Sequence, residues 1–213
     1  MAEDVIERIG FLRLDPKRVW LAGDLSGKLQ RHFSALGAEL VVPPLTQTDE
    51  EQPLAGGPFD LTVSLARLDS VNDLPGALIH LRRALAPGGM MIAMLVGAGS
   101  LPVLRQAMLA ADGERPAPRL HPQVESRSAT GLLERAGFAR QVADEHGLTV
   151  RYSDLSRLVA DLRDQALTSV LERGGPPLTK PALARAKAAF AASADDQGRI
   201  AERFEILTLT GWG

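Results

Sequence analysis

The 213-residue chain has no cysteine, so a disulfide, a thiolate metal site and a cysteine nucleophile are all excluded. It also lacks any excess of one charge. Against 24 Lys and Arg stand 26 Asp and Glu, and a net charge of -2 leaves no electrostatic footprint for nucleic acid or an anionic membrane. No run of 18 apolar residues occurs, so a transmembrane helix is not expected. The acidic start, Met1-Ala2-Glu3-Asp4-Val5, does not follow a signal-peptide pattern. Together these absences predict a cytoplasmic protein in a reducing compartment. The histidines His32, His80, His121 and His146 are far apart, so no metal site is expected.

What is present is a regular alternation of short apolar runs and amphipathic segments. Apolar spacing predicts a helix over residues 5–12, a strand over 18–22 and a helix from Ser26 to about Leu36, with Leu29, Phe33 and Leu36 facing inward. A strand over 39–42 follows, then a polar loop over 45–58 and a buried strand over 60–65. Asn72 and Asp73 can cap a helix over 74–85. Ala86-Pro87-Gly88-Gly89 reads as a turn before a strand over 90–96. Further helices are expected over 101–111, from Ser128 or Thr130 to Gly137, over 154–171 and over 181–192. Strands are expected over 148–152 and 204–210. Alternating strands and helices predict an α/β fold, a Rossmann-like doubly wound and mainly parallel sheet of about six strands. No linker divides residues 1–213, which read as a single domain. Residues 153–200 form a helical insertion before the last strand.

One segment carries most of the functional information. Val19-Trp20-Leu21-Ala22-Gly23-Asp24-Leu25-Ser26-Gly27-Lys28-Leu29 has the outline of a strand, a glycine turn and a helix start, the place where α/β folds hold nucleotide-like ligands. Gly23 and Gly27 either belong to a ligand-binding loop or serve a tight strand-to-helix turn. Asp24 either faces a ligand or caps the turn. Asn72 and Asp73 lie where open α/β sheets bind ligands, and are equally accounted for as helix caps.

Several further motifs extend the pattern. They are Phe59-Asp60-Leu61-Thr62-Val63, Leu81-Arg82-Arg83-Ala84-Leu85-Ala86-Pro87-Gly88-Gly89, and Leu133-Glu134-Arg135-Ala136-Gly137-Phe138. In this order the chain resembles the class I S-adenosylmethionine (SAM)-dependent methyltransferases. More narrowly it resembles the branch containing the complex I assembly factor and arginine hydroxylase of mitochondria and alphaproteobacteria. Val71-Asn72-Asp73-Leu74-Pro75-Gly76, Tyr152-Ser153-Asp154-Leu155, Asp161-Leu162-Arg163 and the ending Leu209-Thr210-Gly211-Trp212 carry that resemblance. The malonyl-carrier-protein methyltransferases are similar but more distant. Leu, Ala and Arg dominate the composition, which suggests a bacterium with a GC-rich genome.

The resemblance implies SAM as cofactor, with Gly23, Asp24, Gly27 and Ser64 on the cofactor side. It places Asn72, Asp73, Arg119, His121 and Arg127 on the substrate side. The departures from the family pattern point the other way. Leu21 stands in place of the strand-end carboxylate and Leu25 in place of the middle glycine. Val42-Pro43-Pro44 replaces the acidic residue that would bind ribose, and Asp69-Ser70 replaces a His-Trp pair. Residues 45–58 barely suffice for one parallel crossover, which needs a dozen or more residues, so the N-terminal half is shortened. The expected function is therefore a methyltransferase-family protein that has lost SAM, has no catalytic residue of its own and works through a protein partner, as a pseudoenzyme or assembly factor. The competing expectations are an active SAM-dependent enzyme with an altered pocket, and a less polar ligand at a mouth formed by Leu21 and Leu25.

Overall fold

Strand-forming runs and capped helices alternate along the chain, and nearly every run becomes an element of structure. The computed structural model describes residues 1–44, 49–171 and 174–213. Among them the order is α1 (Ala2–Leu12), β1 (Arg18–Ala22), α2 (Lys28–Ala35), β2 (Glu39–Val41), β3 (Phe59–Leu65), α3 (Leu74–Arg83), β4 (Leu85–Val96), α4 (Pro102–Asp112), α5 (Ser126–Arg135), β5 (Ala139–Tyr152), α6 (Leu155–Asp164), α7 (Lys180–Ala191) and β6 (Ile200–Trp212). A 3-10 turn at Leu68–Ser70 follows β3. The strands form a six-stranded sheet in the order β2-β1-β3-β4-β6-β5. β1 runs parallel to β2 and to β3, and β3 parallel to β4. This is the expected α/β architecture with a Rossmann-like sheet.

The chain divides into two compact units. The first comprises residues 1–95, 125–145 and 207–213, and the second residues 96–124 and 146–206. In the first unit, β3 and the central part of β4 are apolar on both faces. Leu61, Val63, Met91 and Ile92 are at most 1% exposed, which is the pattern of a parallel strand covered on both sides. Val5 and Ile9 bury one face of α1, and Arg8 bridges Asp4 and Asp144. Phe138 lies against Gly211, where an added Cβ would come within 2.7 Å of the ring.

In the second unit, α4 packs on α7. Ala107 and Ala111 of α4 and Ala182 and Ala186 of α7 are buried, together with the larger Leu104 and Phe190. The ends of α4 meet charges that suit the helix dipole. At its N-terminus the carboxylate of Glu202, itself 0% exposed, accepts the N–H groups of Val103 (3.2 Å) and Leu104 (2.8 Å). Burial raises the pKa of Glu202, and these hydrogen bonds to its charged form oppose that shift. At the C-terminal end the Arg185 guanidinium donates to the carbonyls of Ala110 and Ala111.

Several boundaries differ from the sequence expectation, each for a physical reason. Leu36 lies past the end of α2 and is 47% exposed rather than inward-facing. The expected turn Ala86–Gly89 lies inside β4 as a bulge. Phe59 pairs with Leu85 and Leu61 with Met90, so the extra residues loop out, helped by Gly88 at φ 78°. The helix expected over 154–171 ends at Asp164, because Ala166 adopts a left-handed φ of 56° and breaks the repeat. α5 begins at Ser126 with Glu125 at its N-cap, not at Ser128 or Thr130. β5 starts at Ala139, well before the expected residue 148, because its exposed polar residues hide the strand pattern. Of the expected loop over 45–58, residues 45–48 lie outside the described residues, and the rest contains neither helix nor strand.

The second unit also has a clip that should respond to acid. Asp112 (side chain 5% exposed) and Arg119 (14%) form an ion pair at 2.6 Å. Asp112 also accepts the Ala117 N–H at 3.0 Å, and Arg119 donates to the Pro176 carbonyl at 2.6 Å. The Arg119 hydrogen bonds hold the Asp112 pKa below its ordinary value. A depressed acid stabilises the fold above its unfolded pKa, and that contribution falls as pH drops through the folded pKa. Urea denaturation should therefore show Asp112→Asn about 1–2 kcal/mol less stable than the parent at pH 7, with the difference shrinking toward acid pH.

Candidate functional site

The turn after β1 is built by its own backbone and one carboxylate. The Leu25 N–H bonds the Gly23 carbonyl at 2.9 Å, and the Gly27 N–H bonds the Asp24 carbonyl at 3.1 Å. Asp24 accepts the Ser26 hydroxyl at 2.8 Å through Oδ1 and the Gln30 N–H at 3.0 Å through Oδ2. Both oxygens of Asp24 thus hold the start of α2, where orphan N–H groups favour a carboxylate. Gly27 is the N-cap of α2 at φ 65°.

Gly23 has a different reason to be glycine. At φ 83°, an added Cβ would lie 1.9 Å from the carbonyl oxygen of Leu65 and 3.1 Å from Cγ of Arg67. The turn therefore packs directly on the end of β3. The close approach that glycine permits is made to the protein's own backbone.

An acidic segment lies beside this junction. Arg67 donates to Glu50 at 2.6 Å, with only 17% and 11% of the two side chains exposed. Glu51 accepts the N–H groups of Asn72 and of Asp73, the latter at 3.2 Å. Asp73 in turn caps α3 by accepting the Gly76 N–H at 2.9 Å. After β3, Arg67 and the N–H groups of Asn72 and Asp73 are thus engaged by Glu50 and Glu51.

Next to that segment is a cavity of about 330 Å³. Trp20, Val41, Ser64, Leu68 and Leu81 line its inner wall, and Asp49, Glu50 and Leu54 line the side formed by the acidic segment. Trp20 is in register with Val41 and Thr62, and Ala22 with Ser64, so these side chains share one sheet face. Ser64 is 1% exposed, and among the described residues its hydroxyl has no hydrogen-bond partner.

Of the residues singled out in the sequence, Gly23, Asp24, Gly27, Ser64, Asn72 and Asp73 all belong to the first unit, and Asn72 is exposed. Arg127 belongs to the same unit and pairs with Glu125 on the surface at 2.9 Å, with 86% of its side chain exposed. Arg119 and His121 belong to the second unit. There Arg119 is held in the clip with Asp112 and Pro176. The expected apolar mouth does not form. Leu21 is 0% exposed in the core, Leu25 is 54% exposed, and neither lines the cavity, because the strand carries Leu21 inward and the turn carries Leu25 outward. Sequence reasoning missed the roles of Trp20, Arg67, Glu50 and Glu51. Their only local signal was an acidic cluster in a loop, and their pairing spans 17 to 22 positions in the chain.

No family model matches the chain. Curated relatives do. The chain is 28% identical to the mitochondrial arginine-hydroxylase NDUFAF5 of Danio rerio, over 92% of this chain and 61% of that protein. It is 29% identical to a malonyl-[acyl-carrier protein] O-methyltransferase of Xylella fastidiosa, over 75% of this chain and 54% of that protein. The chain thus spans little more than half the length of the curated relatives it matches. Among solved structures it resembles a candidate methyltransferase of Bacillus halodurans, with a TM-score of 0.63 at 12% identity over 99% of this chain and 98% of that one. It also resembles phosphoethanolamine N-methyltransferase 2 of Haemonchus contortus in complex with SAM, with a TM-score of 0.57 at 13% identity over 99% of this chain and 51% of that one.

The two glycines should respond differently to alanine. Gly23→Ala adds a Cβ against fixed backbone and should cost about 3 kcal/mol or more. Gly27→Ala meets only the movable end of Arg31 and should cost about 1 kcal/mol. Denaturation midpoints of the two variants check this. A Gly23→Ala cost no larger than that of Gly27→Ala would remove the packing explanation for Gly23.

Proposed function

Starting from its membership of the class I SAM-dependent methyltransferase superfamily, near the arginine-hydroxylase branch, we propose that this chain is a non-catalytic member that acts by binding a protein partner, as an assembly protein does. The observation that carries the reading is the closed junction between the Gly23 turn and the end of β3. Space beside a glycine loop serves a cofactor only if the backbone is open to it. Here the Leu65 carbonyl and the Arg67 side chain lie against Gly23. The residues present do not fit SAM. Leu21 offers no acceptor, and the carboxylates of Asp24, Glu50 and Glu51 already hold α2, Arg67 and the N–H groups before α3. Each lost hydrogen bond to a buried ligand group costs on the order of 1–3 kcal/mol, so a few losses remove several powers of ten in affinity.

A partner surface of this kind calls for a contiguous apolar patch, and exposed apolar side chains include Phe11 at the end of α1 (87%) and, in the region 153–200, Val170 (62%) and Leu183 (40%). Names among the relatives include both an arginine hydroxylase and an O-methyltransferase, so chemistry is not uniform across the proteins this chain resembles.

Calorimetric titration of the purified chain with SAM and, separately, S-adenosylhomocysteine tests the reading. No heat and no thermal shift at millimolar ligand is the expected result. A dissociation constant below about 100 μM, roughly -5.5 kcal/mol, would overturn it and turn attention to methyl acceptors.

A further inference from the structure

We infer that a cavity of about 410 Å³ in the second unit is a binding site for an acidic amino acid, a ligand with two carboxylates and one ammonium group. This goes beyond the non-catalytic reading and does not rest on it. The volume lies within the range of small-ligand sites, about 300–1,000 Å³. Two sets of charged groups line it. Arg151 at the end of β5 and Arg199 just before β6 form one. The other is a face of α6, on which Arg157, Ala160, Asp161 and Asp164 recur at helical spacing while Leu155, Leu158 and Leu162 are buried.

These groups are open to a ligand. Arg151, Arg157, Asp164 and Arg199 are exposed, and Asp161 is half-buried. Although guanidinium and carboxylate groups line one cavity, no ion pair joins them among the described residues. The other carboxylates near these arginines serve the backbone. Asp154, close to Arg157, caps α6 by accepting the N–H groups of Ser156 and Arg157 at 2.8 and 3.1 Å. Asp195, close to Arg151 and Arg199, accepts the N–H groups of Gln197 and Arg199 at 2.9 Å each. Two of the lining groups are held in place. The Arg199 guanidinium donates to the Arg151 carbonyl at 2.8 Å, and Asp161 accepts the hydroxyl of the buried Tyr152 through Oδ2. Burial, together with that carboxylate, pushes the Tyr152 pKa up, so the hydroxyl stays a donor. Oδ1 of Asp161 accepts nothing among the hydrogen bonds described.

The set of charges selects the ligand class. Three guanidinium groups and two carboxylates line the cavity, which complements a ligand with two negative charges and one positive charge. Arg199 is bonded to the Arg151 backbone, so this pair can share one ligand carboxylate, whose geometry a guanidinium fork matches. Arg157 takes the second carboxylate, and Asp161 and Asp164 take the ammonium group. Exposed charges attract only weakly in water, so the affinity is modest. SAM carries a sulfonium and lacks the second carboxylate, so the SAM titration judges the non-catalytic reading separately.

The test is a titration of the ¹⁵N-labelled full chain with L-glutamate, L-glutamine, glutarate and L-lysine, read at the backbone amides of Tyr152, Ala160, Asp161 and Arg199. L-Glutamate should shift them saturably with a dissociation constant of about 1 mM. L-Glutamine lacks the second carboxylate and glutarate lacks the ammonium group, so each should bind at least about fivefold more weakly. L-Lysine should give no saturable shift. Arg157→Gln should weaken glutamate about fivefold and leave glutamine unchanged, and Asp164→Asn should weaken glutamate about fivefold and leave glutarate no weaker. Both side chains are exposed, so both variants should fold, which unchanged amide signals from α4 and α7 verify. No saturable shift with glutamate up to about 20 mM would overturn the site. Glutamine or glutarate binding as tightly as glutamate, or saturable binding of lysine, would overturn the ligand class. Either variant weakening every ligand equally would overturn the assigned contacts.

Discussion

The contact on which the ligand side of the first unit depends is the Gly23 turn against the carbonyl of Leu65. A backbone oxygen cannot retreat, so whatever sits at position 23 must lack a Cβ. Once the end of β3 is fixed there, Arg67 follows within two residues and lies across the turn. Its guanidinium then holds Glu50, and the adjoining Glu51 holds the N–H groups that precede α3. A short acidic segment is thereby anchored through charge-assisted hydrogen bonds, which are stronger than neutral ones, and of these the Arg67–Glu50 pair is largely shielded from solvent. Beside the same segment Trp20 and Ser64 are buried, at 3% and 1% exposed.

The second unit obeys a separate logic. Four of the six buried residues of α4 and α7 are alanine, which buries little area per residue. Glu202 at one end of α4 and Arg185 at the other satisfy backbone groups that no helix can satisfy internally. The Asp112–Arg119 clip closes the loop after α4 in the same way.

The relation to methyltransferases is carried by the sheet order, the glycine turn and the capped helix after β3. These are features that a fold needs whether or not it binds a cofactor. Homology and fold thus persist through the core, while the proposed role rests on groups at the strand ends, where side chains can change without disturbing the sheet. Asp24 illustrates the point. A carboxylate beside a glycine loop suggests a ligand contact, yet both its oxygens serve the start of α2.

Much of the fold was legible in the sequence because its signals are local. Apolar runs marked β1, β3 and the central part of β4. Asp73, Asp154 and the proline near the start of α7 marked helix starts, and Gly37 and Gly137 marked helix ends. The missing carboxylate at Leu21 and the missing glycine at Leu25 were also plain from the sequence alone. What only the tertiary structure decided were matters of distance between remote residues. These include the bulge at Ala86–Gly89, the burial of Leu21 against the exposure of Leu25, and the pairing of Arg67 with Glu50. A sequence records which groups are present along one dimension. Which carbonyl meets which glycine is settled only when strands distant in the chain come into register, because the energy of that contact does not exist until they do.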